Sequence, residues 1–490
     1  MSKIKSIQQT QLQKLLSKAA STQIGRRYRF NEIHSYEDYC TQVPLHTYED
    51  LKSKIDLIKQ GETDIFWPGS THKFAVSAGT TGDGKHLPLS KERIASDNRF
   101  SRKVIFSYLK QRPNILSLLG KHISLPGSLE TIRIQNRSLL LGEISGFLAM
   151  EAPALLRPFQ LVGVNRLTRL SFSEKFNLVL TRALKSDIRV ITAVPSWILT
   201  LFQQALHRTG KQSIAEIWPN LKLLVCGGVK LAHYRDHLKK LCGDIHPDFI
   251  ETYGASEGYF AFADNLDKTD LKLVTGNGLF YEWIAHPSPD LQKLKQQKAI
   301  PSWKIETGIP YALVITNNSG LWRYVVNDII EFTSVNPPRL LVKGRLSEML
   351  DDYGEALYSW EAEKALKLSC KSLNLDFDTF TLAGHLDGEH DIPRHLWFIQ
   401  FNQPPTKEHK TKLARELDKK LQQINRHYAI RRESNALEYP LIYSITQQHI
   451  NHWFQQTGKH SAQRKLPRVL HSSESRQKLL AIIKNTTDGF

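Results

Sequence analysis

The sequence predicts an α/β fold in two parts: a large N-terminal domain with mostly parallel sheets and helices, and a smaller C-terminal α+β domain joined by a hinge. A chain of 490 residues is too long for one small core. Short apolar runs alternate with helical patterns from about residue 70 to 335, as in βαβ units. Pro337 and Pro338 interrupt this alternation near a boundary at 336–346. We therefore predict domains at 1–340 and 341–490.

The N-terminal alternation is clearest at two apolar runs separated by a helical pattern. "RVITAVPS" and "LKLLVCGG" predict buried strands, and "SWILTLFQQALHRTG" between them predicts a helix that ends at Gly210. Nearer the start of the chain, no acidic residue precedes Glu32, and apolar residues from Ile4 to Ala19 recur at roughly helical spacing. That segment is either a targeting peptide or a helix docked on the domain.

The C-terminal part is predicted to have the order α-β-β-α-β-α. Helices are expected at "SWEAEKALKLS" and at "HINHWFQQTG", which would end at Gly458. Strands are expected at "TFTLAGHL", "HLWFIQFN" and "YPLIYSI". "KEHKTKLARELDKKLQQINRHY" predicts one long helix, because Leu413, Leu417 and Leu421 lie on one stripe.

Composition limits the class of protein. Hydrophobic residues make up 41% and charged residues 23%, which is ordinary for a globular chain, and no apolar run reaches the roughly 18 residues of a membrane span. Four scattered cysteines favour a reducing compartment, so we expect a cytoplasmic protein. The net charge of +18 suggests nucleic acid, a nucleotide, an anionic substrate or a membrane surface. Because the cations form no long block, no nucleic-acid partner is expected.

The stretch "SAGTTGDGKHLPLS" comes within one residue of a Walker A loop. The pattern G-x-x-x-x-G-K is met from Gly79 to Lys85, but His86 stands where a serine or threonine would bind Mg²⁺. Pro88 also disfavours the helix that follows a Walker lysine. We therefore set the Walker interpretation aside.

A glycine-rich hairpin between "HKFAVS" and "KHLPLS" is predicted instead. Its free N–H groups and the hydroxyls of Ser77, Thr80 and Thr81 can wrap a phosphate, with Lys85 as a point charge. The alternative for this loop alone is a solvated turn.

Two further stretches combine glycine or asparagine with a carboxylate. In "ETYGASEGYF", Tyr253 can stack on a purine, and Glu257 offers the oxygen ligands that Mg²⁺ prefers. In "GLWRYVVNDIIEF", Asn327 and Asp328 interrupt an apolar strand pattern, and a ribose diol would partner the carboxylate. The alternatives are a strand-to-loop turn for the first and a hairpin turn capped by Asp328 for the second.

Two basic residues are the last candidates for a functional site. Arg345 follows a glycine at the predicted boundary, so it can reach into an interdomain cleft. Lys465 lies in "GKHSAQRKLPR", which taken alone is a basic loop.

These motifs, in this order, resemble the adenylate-forming enzymes, which include acyl-CoA synthetases, adenylation domains and luciferases. Further stretches make the chain similar to the auxin-responsive promoter (Gretchen Hagen) family of acyl acid amido synthetases, from about residue 25 to 470. These stretches are "FNEIHSYEDYCTQVPLHTYEDLK", "FWPG", "AVPSWILTLFQ", "IWPNLKLLVCGG", "VITNNSGLWRY" and "GKHSAQRKLPR".

The resemblance implies roles for individual residues. The ATP phosphates would lie at Ser77, Gly79, Thr80, Thr81 and Lys85. The adenine and α-phosphate would be lined by Gly227, Gly228, Tyr253, Gly254, Ala255 and Ser256. Glu257 would lie near Mg²⁺ and Asp328 would hold the ribose hydroxyls. Lys465 and Arg345 would join Lys85 as the catalytic cations.

The chain departs from the family pattern at two positions. Asn327 precedes Asp328 where the family commonly has glycine; since asparagine tolerates left-handed geometry, we expect the turn to survive. Ala78 replaces a frequent serine in the loop, so one hydroxyl contact to phosphate would be missing.

The function that the resemblance implies is an ATP-dependent acyl acid amido synthetase acting on a small carboxylic acid and an amino acid, with ATP and Mg²⁺. A monomer or weak dimer is expected. Two alternatives stay open at this point: an acyl-CoA synthetase-like enzyme with a thiol acceptor, and a basic nucleic-acid-binding protein on this fold.

Overall fold

The computed structural model describes residues 3–77, 85–134, 136–152, 154–355, 357–385, 393–457 and 466–487. The chain divides into two compact units. The larger comprises Met1–His286, Lys295–Val326 and Ile330–Val342, and the smaller comprises Pro287–Leu294, Asn327–Ile329 and Lys343–Phe490. The α/β class with a larger N-terminal and a smaller C-terminal part is confirmed.

Helices and strands alternate along the chain. In order, the helices are α1 (Lys3–Ala19), α2 (Gln23–Arg27), α3 (Tyr36–Gln42), α4 (Tyr48–Gln60), α5 (Lys91–Gln111), α6 (Ile144–Met150), α7 (Val164–Leu167), α8 (Phe172–Ala183), α9 (Pro195–Thr209), α10 (Arg235–Cys242), α11 (Leu291–Gln296), α12 (Ser359–Ser372), α13 (Lys407–Ile424), α14 (Arg426–Glu433), α15 (Gln447–Gln456) and α16 (Ser473–Thr487). The strands are β1 (Lys73–Ser77), β2 (Lys85–Pro88), β3 (Lys121–Ser124), β4 (Leu129–Ile134), β5 (Arg137–Gly142), β6 (Ile188–Ala193), β7 (Leu223–Gly227), β8 (Asp248–Ala255), β9 (Gly258–Phe262), β10 (Leu271–Leu273), β11 (Leu279–Ala285), β12 (Ala299–Pro301), β13 (Pro310–Asn317), β14 (Tyr324–Val335), β15 (Pro338–Arg345), β16 (Met349–Leu350), β17 (Leu357–Tyr358), β18 (Phe377–His385), β19 (Arg394–Phe401) and β20 (Leu441–Ser444).

The main sheet is mixed, and antiparallel pairs outnumber parallel ones among its described pairings, so the prediction of mostly parallel strands is wrong for this sheet. Its strand order within the described residues is β12-β11-β13-β14-β15-β10-β9-β8-β7-β6-β3. Parallel pairing joins β3 to β6, β6 to β7 and β7 to β8. Antiparallel pairing joins β8 to β9, β9 to β10, β10 to β15, and β11 to both β12 and β13. The parallel part therefore lies at one side of the sheet.

The predicted β6-α9-β7 unit is confirmed. Pro195 at the first turn suits a helix start, since its missing N–H needs no partner there. Gly210 ends α9 with φ of 67°, in the left-handed region that glycine tolerates best. The strands that flank α9 pair in parallel, Val190 facing Leu223.

The smaller sheet of the larger unit has the order β2-β1-β5-β4. β1 and β2 pair antiparallel from Phe74 opposite Pro88 to Ser77 opposite Lys85, which confirms the strands predicted on each side of the glycine-rich loop. The loop itself, residues 78–84, lies outside the described residues.

The N-terminal segment forms a docked helix. Leu12, Leu15 and Leu16 of α1 are buried, and the side-chain amide of Gln8 donates to the carbonyl of Leu279 at 3.2 Å. Gln8 also accepts from the N–H of Tyr281 at 2.8 Å, so both ends of a buried amide are satisfied. Within the described residues, no helix is both long enough and apolar enough to cross a membrane.

The turn predicted at Asn327-Asp328 is wrong. β14 runs without a break from Tyr324 to Val335. The side chain of Asn327 meets Ser347 instead: its Nδ2 donates to Oγ at 2.6 Å, and its Oδ1 accepts from the N–H at 3.1 Å. Hydrogen bonds to Ser347 thus satisfy the side-chain amide of Asn327 within the strand, although asparagine by itself favours a turn.

The second unit contains the sheet β18-β19-β20. The predicted helix at 359–369 and the three predicted strands are confirmed by α12 and these strands. The single helix predicted over 407–428 is wrong: it breaks at Asn425, whose side chain accepts from the N–H of Tyr428 at 2.7 Å and starts α14. α15 ends at Gln456; the predicted end, Gly458, lies outside the described residues.

Candidate active site

The carboxyl ends of β6, β7 and β8 meet at one edge of the main sheet, because these strands are parallel neighbours. In open α/β sheets, ligands bind in the crevice outside this edge. Gly227 ends β7 and lies opposite Thr252. A Cβ at Gly227 would lie 2.6 Å from the Thr252 hydroxyl, and Gly228 has φ of +83°. Both positions therefore require glycine, which leaves backbone open at this edge.

The segment "YGASEG" follows at the end of β8. Ala255 faces Gly258 across a tight turn into β9, so Ser256 and Glu257 lie at the turn itself. Gly254 packs against Tyr259, since a Cβ there would approach the ring to 2.5 Å. Tyr253 is 8% exposed and lies 5.0 Å from the ring of Phe260. Only a small part of Tyr253 can therefore contact a purine.

Glu257 is held through its backbone. Its carbonyl accepts from the guanidinium of Arg93 and from Nδ2 of Asn317, the latter at 3.0 Å. Arg93 in turn pairs with Asp97 one helical turn further along α5, with Nε to Oδ1 at 3.1 Å and both residues 1% exposed. Burial raises the pKa of Asp97, and the guanidinium opposes that effect.

The turn between β13 and β14 supports the same network. Oδ1 of Asn317 accepts from the N–H groups of Ser319 and Leu321 at 2.9 and 3.1 Å. Asn318 donates to the carbonyl of Glu92 at 3.0 Å, and the hydroxyl of Ser319 accepts from the N–H of Ser90 at 2.9 Å. This turn therefore fixes the start of α5, only a few residues after Lys85.

Lys85 begins β2 beside Tyr48. Its Nζ lies 5.9 Å from the centroid of the Tyr48 ring, and the Tyr48 hydroxyl accepts from the N–H of His86 at 3.0 Å. Burial raises the pKa of Tyr48, and the hydrogen bond from His86 opposes it. Ser77 lies directly opposite Lys85 in the hairpin. Gly79, Thr80 and Thr81 lie outside the described residues.

The second unit contains the other predicted site residues that the structure describes. Asp328 lies within β14 and the exposed Arg345 ends β15. The hydrogen bonds between Asn327 and Ser347 link the strand position next to Asp328 to the turn that follows Arg345. Lys465 lies outside the described residues.

Sequence analysis missed three residues that organise the larger unit. Arg93 and Asn317 both donate to the carbonyl of Glu257. Arg323, in the quoted "GLWRY", has φ of 42° and forms a buried ion pair with Glu282, with Nη2 to Oε1 at 3.0 Å. Its Nη1 donates to the carbonyl of Val43 at 2.7 Å, so it ties the segment after α3 to the sheet. A polar run between two apolar strands was the available signal for Asn317.

The fold is that of the adenylate-forming ligases. A 2-hydroxyisobutyryl-CoA ligase in its postadenylation state aligns with a TM-score of 0.60 and 11% identity, over 98% of this chain and 92% of that one. The AtGH3.15 acyl acid amido synthetase in complex with 2,4-DB aligns with a TM-score of 0.77 and 17% identity, over 98% and 93% of the two chains.

Sequence comparison identifies the family to which the chain belongs. It matches the GH3 family N-terminal domain over residues 1–151, the GH3 family central domain over 272–345 and the GH3 family C-terminal domain over 360–474. The chain belongs to the GH3 family of acyl acid amido synthetases, as its motifs predict. It is therefore a ligase of the acid–amino acid type.

Several curated relatives come from Arabidopsis thaliana. An indole-3-acetic acid-amido synthetase, GH3.2, is 25% identical over 67% of this chain and 71% of its own length. A probable indole-3-acetic acid-amido synthetase, GH3.1, is 22% identical over 95% and 89%. A 4-substituted benzoates-glutamate ligase, GH3.12, is 22% identical over 78% of each chain.

Proposed function

We propose that this protein activates a small carboxylic acid with ATP, releasing pyrophosphate, and transfers the acyl group to the amine of an amino acid, releasing AMP. A carboxylate is a poor acyl donor because oxide is a poor leaving group, and the mixed anhydride with AMP supplies a good one. The observation that carries the proposal is the edge at Gly227-Gly228 and Glu257. There, open backbone and an anchored acidic turn lie side by side at the carboxyl ends of parallel strands.

The residues of the larger unit fit a nucleotide with a divalent cation. The side-chain-free backbone at Gly227 and Gly228 gives a flat base room to approach. Glu257 supplies carboxylate oxygens, the ligand type that Mg²⁺ prefers, and bound Mg²⁺ would neutralise phosphate charge. Lys85 would add a fixed cation on a strand end. The loop residues Ser77, Gly79, Thr80 and Thr81 would surround the phosphates.

The remaining roles are proposed from the resemblance. Asp328 would accept hydrogen bonds from the ribose hydroxyls, and its position in a continuous strand holds its backbone in place. Arg345 and Lys465 would supply positive charge where it develops in the transition state. The boundary near residue 340 between an adenylate-forming domain and a mobile C-terminal domain, and the monomeric or weakly dimeric state, stay predictions.

The substrate class is proposed from the relatives. Their names give indole-3-acetic acid and 4-substituted benzoates as acids and glutamate as an amine partner, and one aligned structure holds 2,4-DB. We propose a small acid for this chain, with aromatic acids as the first group to test. A cytoplasmic location is also proposed, supported by four cysteines that are all unpaired.

A pyrophosphate-exchange screen tests the first half-reaction. Purified protein, ATP, Mg²⁺ and labelled pyrophosphate are incubated with a panel of aromatic and aliphatic acids. We expect label to enter ATP only with the correct acid. Formation of ADP and phosphate across the panel would contradict the proposal.

The acceptor is then identified by product analysis. The active acid is offered with single amino acids or with coenzyme A. An amide with AMP supports the proposal, whereas a thioester without amide would assign the protein to the acyl-CoA synthetases. Salt-dependent binding to DNA or RNA without adenylation would favour a nucleic-acid-binding protein.

A further inference from the structure

Exposed apolar side chains cluster at one place on the larger unit. Twelve large hydrophobic residues are exposed in the described part of the chain, and five of them lie between residues 105 and 119. We call these five the 105–119 surface. They are Ile105, Phe106, Ile115, Leu116 and Leu119. Phe106 and Leu116 are 64% and 69% exposed, the two highest values among the twelve. Clusters of this kind mark interaction sites more often than scattered single residues do.

The two segments that bear this surface are held over one core. Leu109 of α5 and Leu118 of the following 3₁₀ turn both pack against the cluster that contains Phe100 and Tyr108. The carbonyl of Leu118 also contacts Nε2 of His122 at 3.0 Å. The structure therefore presents the neighbouring apolar side chains outward on fixed backbone.

The chain segment that carries this surface is basic as well as apolar. No Asp or Glu occurs from residue 98 to residue 129, and this stretch contains six basic residues. Four of them line the exposed side of α5 at spacings of three, one and seven residues: Arg99, Arg102, Lys103 and Lys110. In the described ranges, no ion pair involves Arg102, Lys103 or Lys110, whereas Arg112 is paired with Asp248 at 3.0 Å.

We infer that the 105–119 surface docks the protein on a membrane surface that carries anionic lipid. The cations on α5 would lie against lipid phosphates, and the apolar side chains would enter the boundary between headgroups and acyl chains. The net charge of +18 would draw the whole chain toward such a surface. The inference does not depend on the proposed ligase activity.

Other binding partners match the apolar and basic residues of the 105–119 surface less well. A symmetric contact with a second copy would bring the same cations together with no carboxylate from residues 98–129 to oppose them. A nucleic acid would satisfy the cations through its phosphates but leave five apolar side chains in water. An anionic lipid surface matches both properties at once.

Vesicle flotation with the full chain tests this inference. The probes are vesicles of phosphatidylcholine alone and vesicles in which about one third of the lipid is phosphatidylglycerol. We expect binding to the anionic vesicles to be at least about tenfold tighter, since each basic residue near such a surface contributes roughly fivefold. Raising the salt to about 1 M should remove most of that difference.

Matched variants distinguish an effect of the 105–119 surface from a general effect of net charge or exposed hydrophobic area. F106S/L116S removes apolar area from the surface and L57S/L368S removes two exposed leucines elsewhere. R102E/K110E reverses two charges on the surface and K239E/K240E reverses two on exposed positions of α10. We expect both surface variants to bind at least about tenfold more weakly and both controls to bind like the original chain. Urea unfolding should be alike for all five proteins.

Several results would overturn the inference. They are equal binding to both kinds of vesicle, surface variants that bind like their controls, and charge controls that lose as much binding as R102E/K110E. Binding to a DNA duplex that R102E/K110E weakens and F106S/L116S does not, without lipid binding, would assign the basic face to nucleic acid instead.

Discussion

Arg93 on α5 donates a guanidinium N–H to the backbone carbonyl of Glu257, 164 positions further along the chain. α5 begins at Lys91, shortly after Lys85 on β2. The place of the acidic turn in the sheet therefore depends on the helix that follows the glycine-rich loop. Arg93 and Asp97 are both nearly inaccessible to solvent, so the pair is part of the interior.

The first prediction concerns this buried pair. Arg93→Ala leaves the Asp97 carboxylate buried without its partner, so we expect the free energy of unfolding to fall by about 3–5 kcal/mol. R93M/D97L removes the orphaned charge and should recover most of that loss. Urea unfolding measures both. A loss below about 1 kcal/mol for R93A would show that the pair does not stabilise the fold.

The second prediction concerns the role of Asn317 in positioning Glu257. Asn317→Asp keeps the oxygen that accepts from Ser319 and Leu321 but replaces the amide that donates to Glu257. Without this hydrogen bond Glu257 is held less firmly. We therefore expect the rate of pyrophosphate exchange to fall by about 10-fold or more, and the Mg²⁺ concentration that the exchange reaction requires to rise.

Asn318→Asp is the matched control. Asn318 lies in the same turn, and its amide donates to Glu92 and Ser96. The two variants should lose similar stability, and only N317D should change the Mg²⁺ requirement. Equal Mg²⁺ profiles would refute a positioning role for Asn317.

The third prediction concerns Lys85. Lys85→Ala should lower adenylation about 100-fold, because a cation fixed near transferring phosphates stabilises charge in the transition state. Lys73 lies on the neighbouring strand and pairs with Glu151 at 2.8 Å, so K73A is the control and should keep nearly full activity. Pyrophosphate-exchange rates of the two variants decide between a catalytic cation and a general effect of charge on the hairpin.

The fourth prediction concerns Glu361 in the second unit. Burial raises the pKa of this carboxyl to about 7, opposed by the Asn425 amide, which donates to it at 2.7 Å. An unfolded glutamate has a pKa of about 4.3, so the folded state binds more protons between these values. The contribution of Glu361 to the free energy of unfolding should therefore fall as the pH rises from about 4 to about 7.

Glu361→Gln removes this titration. The stability difference between E361Q and the original chain should grow by up to about 3 kcal/mol in favour of E361Q between about pH 5 and pH 8. The nearby charges of Lys343 and Lys364 are present in both proteins. Urea unfolding across this range measures the difference, and parallel pH profiles would contradict the raised pKa.

Elements with local causes were predictable from the sequence. The β6-α9-β7 unit follows from two apolar runs, the helical pattern between them and Gly210 as a stop. The strands of the glycine-rich hairpin follow from the alternation on each side of the loop. Predictions failed where a side-chain hydrogen bond overrides the pattern of the surrounding sequence. Ser347 keeps Asn327 in a strand, and the Asn425 side chain divides what the leucine stripe predicted as one helix.

The residues of the candidate site were likewise only partly predictable from the sequence. The family resemblance led to Gly227, Gly228 and Glu257, which the structure places at one sheet edge. The Arg93–Asp97 pair looks in sequence like any surface ion pair at i and i+4, and only the fold shows that it is buried beneath Glu257.

The most direct test of the proposed ligase follows all products of one complete reaction. Protein, Mg²⁺, ATP labelled at the α-phosphate, the acid that supports exchange and an amino acid are combined, and nucleotides and organic products are separated. We predict AMP and pyrophosphate in equal amounts with a product whose mass equals acid plus amino acid minus water. Labelled ADP, or AMP formed without any amide across all amino acids, would contradict the account.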